Sequence, residues 1–189
     1  MHFLTGLILF YMENSRLNSE FFRNDVLMVA RELLGKFIVR KFNNGKTERY
    51  IISEVEAYSG DGDLACHASK GKTSRTEVMF REGGLVYVYL VYGIHWLLNI
   101  VTGREGDASA VLIRGLKGVT GPGRVGKLLQ LDRSFYGEDL TTSGRIWIEE
   151  SDIKITYGAA PRIGIDYAGE PWKSKNWRFY ITQPPNHEI

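Results

Sequence analysis

A chain of 189 residues is long enough for one domain with a substantial core, and its 43% hydrophobic and 24% charged residues are ordinary for a globular protein. The net charge of +2 permits nucleic-acid binding but excludes a protein dominated by basic charge. The single cysteine, Cys66, excludes a disulfide within the chain, favours a reducing compartment and fits a small buried residue better than a zinc ligand.

The N-terminal segment, residues 5–11, is apolar but too short to span a bilayer, and it lacks the basic leader and cleavage site of a signal peptide. Because Met12 follows directly, a natural start at Met12 is an alternative. We expect residues 1–16 to be an extension, either disordered or an artefact of the assigned start, and residues 17–189 to form the folded domain.

The next part of the chain predicts a helix and then a hairpin. Asn24-Asp25 is typical of a helix N-cap, apolar residues follow at helical spacing, and Gly35 predicts the end of the helix. Alternation over residues 37–42 predicts a strand, residues 43–45 (Asn-Asn-Gly) a tight turn, and residues 50–58 the partner strand.

The second half predicts more hairpins with one helix between them. The polar, glycine-rich residues 60–76 predict a loop. Strands are expected at residues 86–90, 94–101, 108–114, 146–149, 153–156 and 177–182, and a helix at 125–131. This order predicts an α+β fold: a single domain with a mostly antiparallel curved β-sheet, surrounding helices and a protruding β-hairpin.

The hairpin over residues 85–99 is rich in aromatic side chains. Period-2 geometry places Tyr87 and Tyr89 on one face, and Tyr92-Gly93 fits the reversal, so a large ring lies at the tip. Strand tyrosines usually pack in a core with a solvated hydroxyl. The alternative is that the face stacks a flat ring and that the tip inserts into stacked groups.

Two carboxylates and a tyrosine, Glu54, Glu56 and Tyr58, share one face of the strand over residues 50–58. They fit a solvated edge, a metal-binding pair, or a general base beside an aromatic ring. The metal interpretation is weak because the strand offers no nearby lysine and Asp61-Gly62-Asp63 is common turn chemistry. A general base, its carboxylate tuned by partial burial and a nearby cation, remains.

Residues 121–127 have the spacing of a P-loop. Leu128 stands where the magnesium-binding Ser or Thr is needed, and Pro122 removes one amide from the cradle. We therefore prefer a glycine-rich turn that contacts a nucleic-acid phosphate through backbone amides. A magnesium-dependent nucleotide hydrolase is the rival hypothesis for this segment.

Several motifs, in order, resemble the alkyladenine (3-methyladenine) DNA glycosylase family over about residues 24–181. Residues 73–76 depart from the family pattern, because proline and asparagine are frequent where Ser74 and Thr76 stand. The matching motifs are Glu54-Val55-Glu56-Ala57-Tyr58, His67, Tyr87-Val88-Tyr89, Tyr92-Gly93, Asn99, Ala110 to Arg114, Gly121-Pro122-Gly123, Arg162-Ile163-Gly164-Ile165 and Trp177-Arg178-Phe179-Tyr180.

The resemblance implies a monofunctional glycosylase that flips alkylated or deaminated purines out of duplex DNA and hydrolyses the N-glycosidic bond, which starts base excision repair. It implies two catalytic residues. Glu56 is expected to act as the general base on a water that attacks the sugar C1′, and Arg114 to position that water and keep Glu56 ionised.

The resemblance also implies how the damaged base is held. Tyr58, His67 and Tyr89 are expected to stack the flipped purine, and the His67 backbone N–H to bond its edge. Asn99 is expected to disfavour normal guanine by crowding its 2-amino group, and Tyr92 to fill the gap left in the DNA. The implied lesions are 3-methyladenine, 7-methylguanine, hypoxanthine and ethenoadenine.

Neither a metal nor a cofactor is implied. The expected partner is double-stranded DNA carrying damaged purines, with no membrane association, a monomeric state and an intracellular, cytoplasmic and nucleoid-associated location. The alternative function is a damaged-DNA-binding protein without catalysis, in which Glu56 is dispensable.

Overall fold

Nine strands, all paired antiparallel, build one curved sheet in the computed structural model, which describes residues 16–183. The strands are β1 Phe37–Lys41, β2 Thr47–Tyr58, β3 Val86–Val91, β4 His95–Thr102, β5 Ser109–Leu116, β6 Val119–Thr120, β7 Ile146–Glu149, β8 Thr156–Ala160 and β9 Arg178–Gln183. Their order along the main path of the sheet is β3-β4-β5-β2-β1-β7, while β6 pairs with β5, β9 with β2, and β8 with β9.

The described residues also contain three α-helices and four short 3-10 helices. In this part of the chain, no helix is long and apolar enough to cross a membrane. The α-helices are α1 Ser19–Phe22, α2 Val26–Leu33 and α3 Pro122–Leu128, and the 3-10 helices are His67–Lys70, Glu77–Phe80, Arg133–Phe135 and Asp166–Ala168.

Helix α2 begins and ends where the sequence predicts. The Asp25 carboxylate accepts hydrogen bonds from the amides of Leu27 and Met28, which satisfies two donors of the first turn. Gly35, with a φ of 83°, turns the chain after the helix. The apolar face of α2 lies on β2 and β5 and contributes to the main core.

The central strand β2 has different neighbours along its length. Its first half pairs with β1, whereas its second half has β9 on that edge and β5 on the other. Glu56 lies opposite Leu112 in β5 and opposite Arg178 in β9. The interpretation of this carboxylate as part of a solvated edge is therefore wrong, because a strand covers each side.

A second apolar cluster lies beside the main core and contains Cys66, Met79, Tyr87 and Val101. Cys66 is buried, as predicted, and burial raises the pKa of its thiol to about 11. This cluster supports the 3-10 helix His67–Lys70, which lies inside the segment predicted as a plain loop.

Other boundaries differ from the prediction for clear reasons. The strand predicted at residues 153–156 is wrong: Ile155 packs against the main core, and β8 forms only where the chain meets β9. Helix α3 begins three residues before the predicted start, because Pro122 occupies its first position. The proposed extension and the start at Met12 lie outside the described residues, except for Arg16, whose guanidinium stacks on Trp147.

Candidate active site

A cavity of about 580 Å3 opens beside the second half of β2. Its lining comes from β2, β3, β4, β5, the β3–β4 turn, the 3-10 helix His67–Lys70, the start of α3 and the loop after β8, so only the tertiary structure assembles it. All seven residues singled out from the sequence line this cavity: Glu56, Tyr58, His67, Tyr89, Tyr92, Asn99 and Arg114.

Glu56 is a fully buried carboxylate in the wall of the cavity, with a relative exposure of 0%. The Tyr58 hydroxyl donates to Oε2 at 2.8 Å, the Ile163 amide donates to Oε1 at 2.8 Å, and Arg114 Nη1 lies 3.4 Å from Oε1. These three contacts fix the orientation of the Glu56 carboxylate. A carboxylate held in this way can act on a water molecule in the cavity.

The pKa of Glu56 is raised above its ordinary value because burial penalises the ionised form. Arg114 opposes this most strongly, followed by the Ile163 amide and the Tyr58 hydroxyl, while the nearby Glu54 adds to the upward shift. Arg114 thus acts in the direction expected from the sequence, but burial outweighs it.

Arg114 is shared between two carboxylates. Its Nε donates to Glu54 Oε1 at 3.3 Å, and Arg178 Nη1 donates to the same oxygen at 3.0 Å. Arg178 in turn donates from Nε to the carbonyl of Pro161 at 2.9 Å. Glu54 therefore holds Arg114 beside Glu56, a supporting role that the sequence pattern did not reveal.

Aromatic side chains line the opposite part of the cavity. Tyr87 and Tyr89 share a face, as predicted, with ring centroids 5.4 Å apart. His67 meets Tyr89 edge to face at 4.7 Å, and its Nδ1 lies 2.9 Å from the Tyr87 hydroxyl. Burial, assisted by Arg75, lowers the pKa of His67 to about 4, so its ring is neutral at neutral pH. Burial also raises the pKa of both tyrosines.

Asn99 lies directly opposite Tyr87 in the β3–β4 ladder, and its side chain is buried. Its Nδ2 donates to the Tyr87 carbonyl at 3.1 Å. This bond fixes the plane of the Asn99 amide at the cavity wall.

The hairpin turn presents apolar side chains to solvent. Tyr92 has a φ of 53° and Gly93 a φ of 71°, so both central residues have the positive φ typical of a tight hairpin turn. The Tyr92 side chain is 90% exposed, and Ile94 is 71% exposed. The position of Tyr92 at the tip is confirmed. The Tyr92 side chain therefore makes little contact with the rest of the fold.

Two glycines within α3, Gly123 and Gly126, serve packing. A Cβ atom on Gly126 would lie 1.8 Å from the Trp96 carbonyl oxygen, and one on Gly123 would lie 3.0 Å from the His95 ring. Both glycines let α3 approach β4, so the P-loop spacing has a structural reason. Among residues 16–183, no group of three His, Cys, Asp or Glu side chains is arranged to hold a metal ion.

Sequence reasoning also missed the loop after β8. Ile163 contributes only its backbone amide to Glu56, and an amide has no residue-type signature. Tyr167 lines the cavity with a 70% exposed side chain, and its hydroxyl donates to the Ala65 carbonyl at 3.1 Å. The only sequence signal was the Arg-Ile-Gly-Ile motif in the resemblance, which carried no assigned role.

Comparison with known proteins places this site in a family. The model of the methylpurine-DNA glycosylase family matches residues 20–121 and 118–185. Similar proteins come from Psychrobacter cryohalolentis (37% identity, covering 92% of this chain and 95% of the relative), Legionella pneumophila strain Corby (43%, 90% and 96%) and Wolbachia pipientis wMel (44%, 92% and 98%). Each of the three is named "Putative 3-methyladenine DNA glycosylase". The chain therefore belongs to the methylpurine-DNA glycosylase family and is a DNA glycosylase, a DNA-repair hydrolase of the N-glycosidic bond.

Proposed function

We propose that this glycosylase acts as a monomer on duplex DNA and excises 3-methyladenine, 7-methylguanine, hypoxanthine and ethenoadenine. The observation that carries the proposal is the position of Glu56, a buried carboxylate that shares one cavity with the rings of Tyr58, His67 and Tyr89. A cavity of about 580 Å3 has room for a purine nucleotide and the attacking water.

Glu56 is the general base in this proposal. Water attacks C1′ of the flipped nucleotide, the C1′–N bond breaks, and its electron pair leaves with the purine. The pair neutralises a cationic methylated purine, whereas hypoxanthine or ethenoadenine leaves as an anion and takes a proton from solvent water. Glu56 accepts the proton that the water loses, and its negative charge stabilises the oxocarbenium character of the transition state. Arg114 positions the water, since its guanidinium contacts Glu56 Oε1 at 3.4 Å while Glu54 holds it from the other side.

The base-binding slot has Tyr58 as one wall and His67 with Tyr89 as the other. The raised pKa values of the tyrosines and the lowered pKa of His67 keep these walls uncharged at neutral pH. Aromatic faces attract a cationic methylated purine by about 0.5–2 kcal/mol each, and neutral lesions stack on the same faces without this contribution from charge. The His67 amide is in the first turn of its 3-10 helix, where no helical acceptor exists, so it is available to a base edge.

Selection against normal guanine is assigned to Asn99, whose amide is held rigid by the Tyr87 carbonyl. A rigid group at this wall penalises an extra 2-amino group by steric contact. Tyr92 is assigned to DNA insertion, because its exposed ring at the hairpin tip can occupy the gap that the flipped nucleotide leaves.

The decisive experiment measures free-base release from four duplexes, each with one of the proposed lesions, in the presence of a chelator. We expect each free base to appear by chromatography and mass spectrometry, while the DNA strand stays intact until alkali is added. An unmodified duplex is the control and should release nothing. Release from only one lesion would reduce the proposed substrate class to that base.

The Glu56→Gln variant separates catalysis from binding. We expect it to bind a hypoxanthine duplex with wild-type affinity and to release almost no base. Normal release by this variant would contradict the assignment of Glu56. Magnesium-dependent nucleotide turnover would favour the nucleotide-hydrolase hypothesis for residues 121–127, whereas full base release in the chelator would remove it.

A further inference from the structure

A buried ion pair lies behind the base-binding slot. The side chains of Arg162 and Asp63 are both fully buried, and two bonds join them: Nη1 to Oδ2 at 2.5 Å and Nη2 to Oδ1 at 2.9 Å. A buried ion pair rarely stabilises a fold more than apolar side chains of the same volume would. Its place behind a catalytic cavity therefore calls for a reason other than stability.

The Arg162 guanidinium lies against two aromatic rings. It lies 4.7 Å from the Tyr58 ring centroid and 5.0 Å from that of Trp177. Its Nη1 also donates to the Ala57 carbonyl at 2.9 Å, between Glu56 and Tyr58 in strand β2. The two bonds to Asp63 hold the guanidinium plane, so the guanidinium supports the Tyr58 ring as a fixed surface.

The same residue determines where the next amide lies. Ile163 follows Arg162 directly, and its N–H is the group that donates to Glu56 Oε1 at 2.8 Å. The side chain of Ile163 is half exposed and cannot anchor this loop by burial. Arg162 therefore anchors this amide from the preceding position, while the Arg178 bond to the Pro161 carbonyl and the buried Ile165 side chain hold the loop on either side.

We propose that Arg162 is a positioning residue that sets, through one anchored side chain, both the plane of Tyr58 and the orientation of the Glu56 carboxylate. This inference rests on the proposed function, in which Tyr58 stacks the base and Glu56 activates the water. Asp63 belongs to the same arrangement because its carboxylate holds the Arg162 guanidinium. The sequence alone indicated Asp63 only as a turn residue.

The effect on Glu56 has a definite direction. The charged and titratable groups that face Glu56 are Glu54 and Tyr58 on its own strand, Arg114 on β5, Arg178 on β9, Tyr89 on β3 and Tyr167 in the loop after β8. The Ile163 N–H stabilises the ionised form. Displacement of that N–H raises the pKa of Glu56 and moves the acid limb of the rate profile to higher pH.

The test compares Arg162→Lys with Arg40→Lys in single-turnover excision of hypoxanthine at saturating enzyme across a pH series. Arg40 is a matched control: it is also buried and donates to the carbonyls of Leu129 and Arg145, away from the cavity. We expect Arg162→Lys to lose about 10–100-fold in rate, the order expected for a displaced catalytic group, with its acid limb at higher pH. Arg40→Lys should lower only the melting temperature.

Equal rates and acid limbs in the two lysine variants would overturn the inference and make Arg162 merely structural. If Arg162→Lys does not fold, Asp63→Asn decides, because it removes the charge that holds the guanidinium and leaves both Arg162 and the Ile163 N–H in the chain. It should move the acid limb to higher pH, and an unmoved limb would again overturn the inference. Failure of the proposed function is distinguishable, since Glu56→Gln would then keep the wild-type rate.

Discussion

Strand β2 carries the same local motif twice, a glutamate followed two residues later by a tyrosine. Glu48 and Tyr50 lie in its first half, and Glu56 and Tyr58 lie in its second half. In both copies the tyrosine hydroxyl donates to the carboxylate of the glutamate. The two copies nevertheless differ in their electrostatics.

The difference comes from what covers each half of the strand. Hydrogen bonds from Lys46 and Tyr50 lower the pKa of Glu48, which stays in contact with solvent. Burial between β5 and β9 raises the pKa of Glu56 despite three favourable contacts. The same motif thus holds a surface ion-pair partner in one place and a buried carboxylate with a raised pKa in the other.

The largest expected effect comes from replacing the carboxylate in each of the two motifs. Glu56→Gln should reduce base release about 10³-fold or more, because it removes both the proton acceptor and the negative charge. Glu48→Gln should leave the rate within about twofold, as expected of a surface substitution. The measurement is single-turnover release from a hypoxanthine duplex. Similar losses at both positions would mean that burial does not distinguish the two motifs.

The next effect separates base flipping from the chemistry at Glu56. Tyr92→Ser should reduce excision from duplex DNA about 10–100-fold, because unstacking a nucleotide costs a few kcal/mol that the inserted ring helps to offset. Excision from single-stranded DNA should fall less. Asn44→Ser, at the tip of the polar β1–β2 hairpin, is the control and should change neither rate. Equal loss on both substrates would argue against insertion by Tyr92.

A smaller effect concerns the two hydroxyls. Tyr58→Phe keeps the stacking ring but removes a donor that lowers the pKa of Glu56. That pKa should therefore rise, and since the base must be ionised, the acid limb should move to higher pH with a loss of about tenfold below it. Tyr50→Phe should leave the profile unchanged. If the acid limb of the Tyr58→Phe profile lies at the same pH as that of the wild type, the Tyr58 hydroxyl does not affect the pKa of Glu56.

The smallest effect is that of Glu56→Gln on stability. This substitution should lower activity but raise the stability of the fold. The raised pKa of Glu56 means that its ionisation destabilises the fold as pH rises through the folded-state value. Glu56→Gln should therefore raise the melting temperature by about 2–4 °C at mildly alkaline pH, and the gain should vanish in acid. Glu48→Gln should give no gain. Thermal unfolding at the two pH values measures both, and a less stable Glu56→Gln would contradict this sign.

Local signals predicted several elements well. The Asp25 cap, the polar turn over residues 43–45 and the Tyr92-Gly93 reversal depend on groups within a few residues of each other. The strand at residues 146–149 was also predicted with its observed bounds. Local chemistry is sufficient where the partner of each group lies nearby in the chain.

Long-range features were not predictable in the same way. Nothing in residues 153–156 indicates that a strand needs β9 as its partner, so the alternating pattern there was misleading. The amide of Ile163 reaches Glu56 across 107 positions of sequence, and Arg162 reaches Asp63 across 99. Such contacts depend on backbone geometry that residue types do not encode.

The sequence by itself determined the residue types of the site, the periodicity that places Glu56 beside Tyr58 and Tyr87 beside Tyr89, and the ring at the hairpin tip. Period-2 geometry and turn chemistry are sufficient for these, because they act within one strand or one turn. Only the tertiary structure decided that Glu56, and not Glu48, is buried between two strands with an amide, a hydroxyl and a guanidinium around it. The pKa of a carboxylate depends on solvent exclusion and on charges that arrive from distant parts of the chain, and folding alone brings these together.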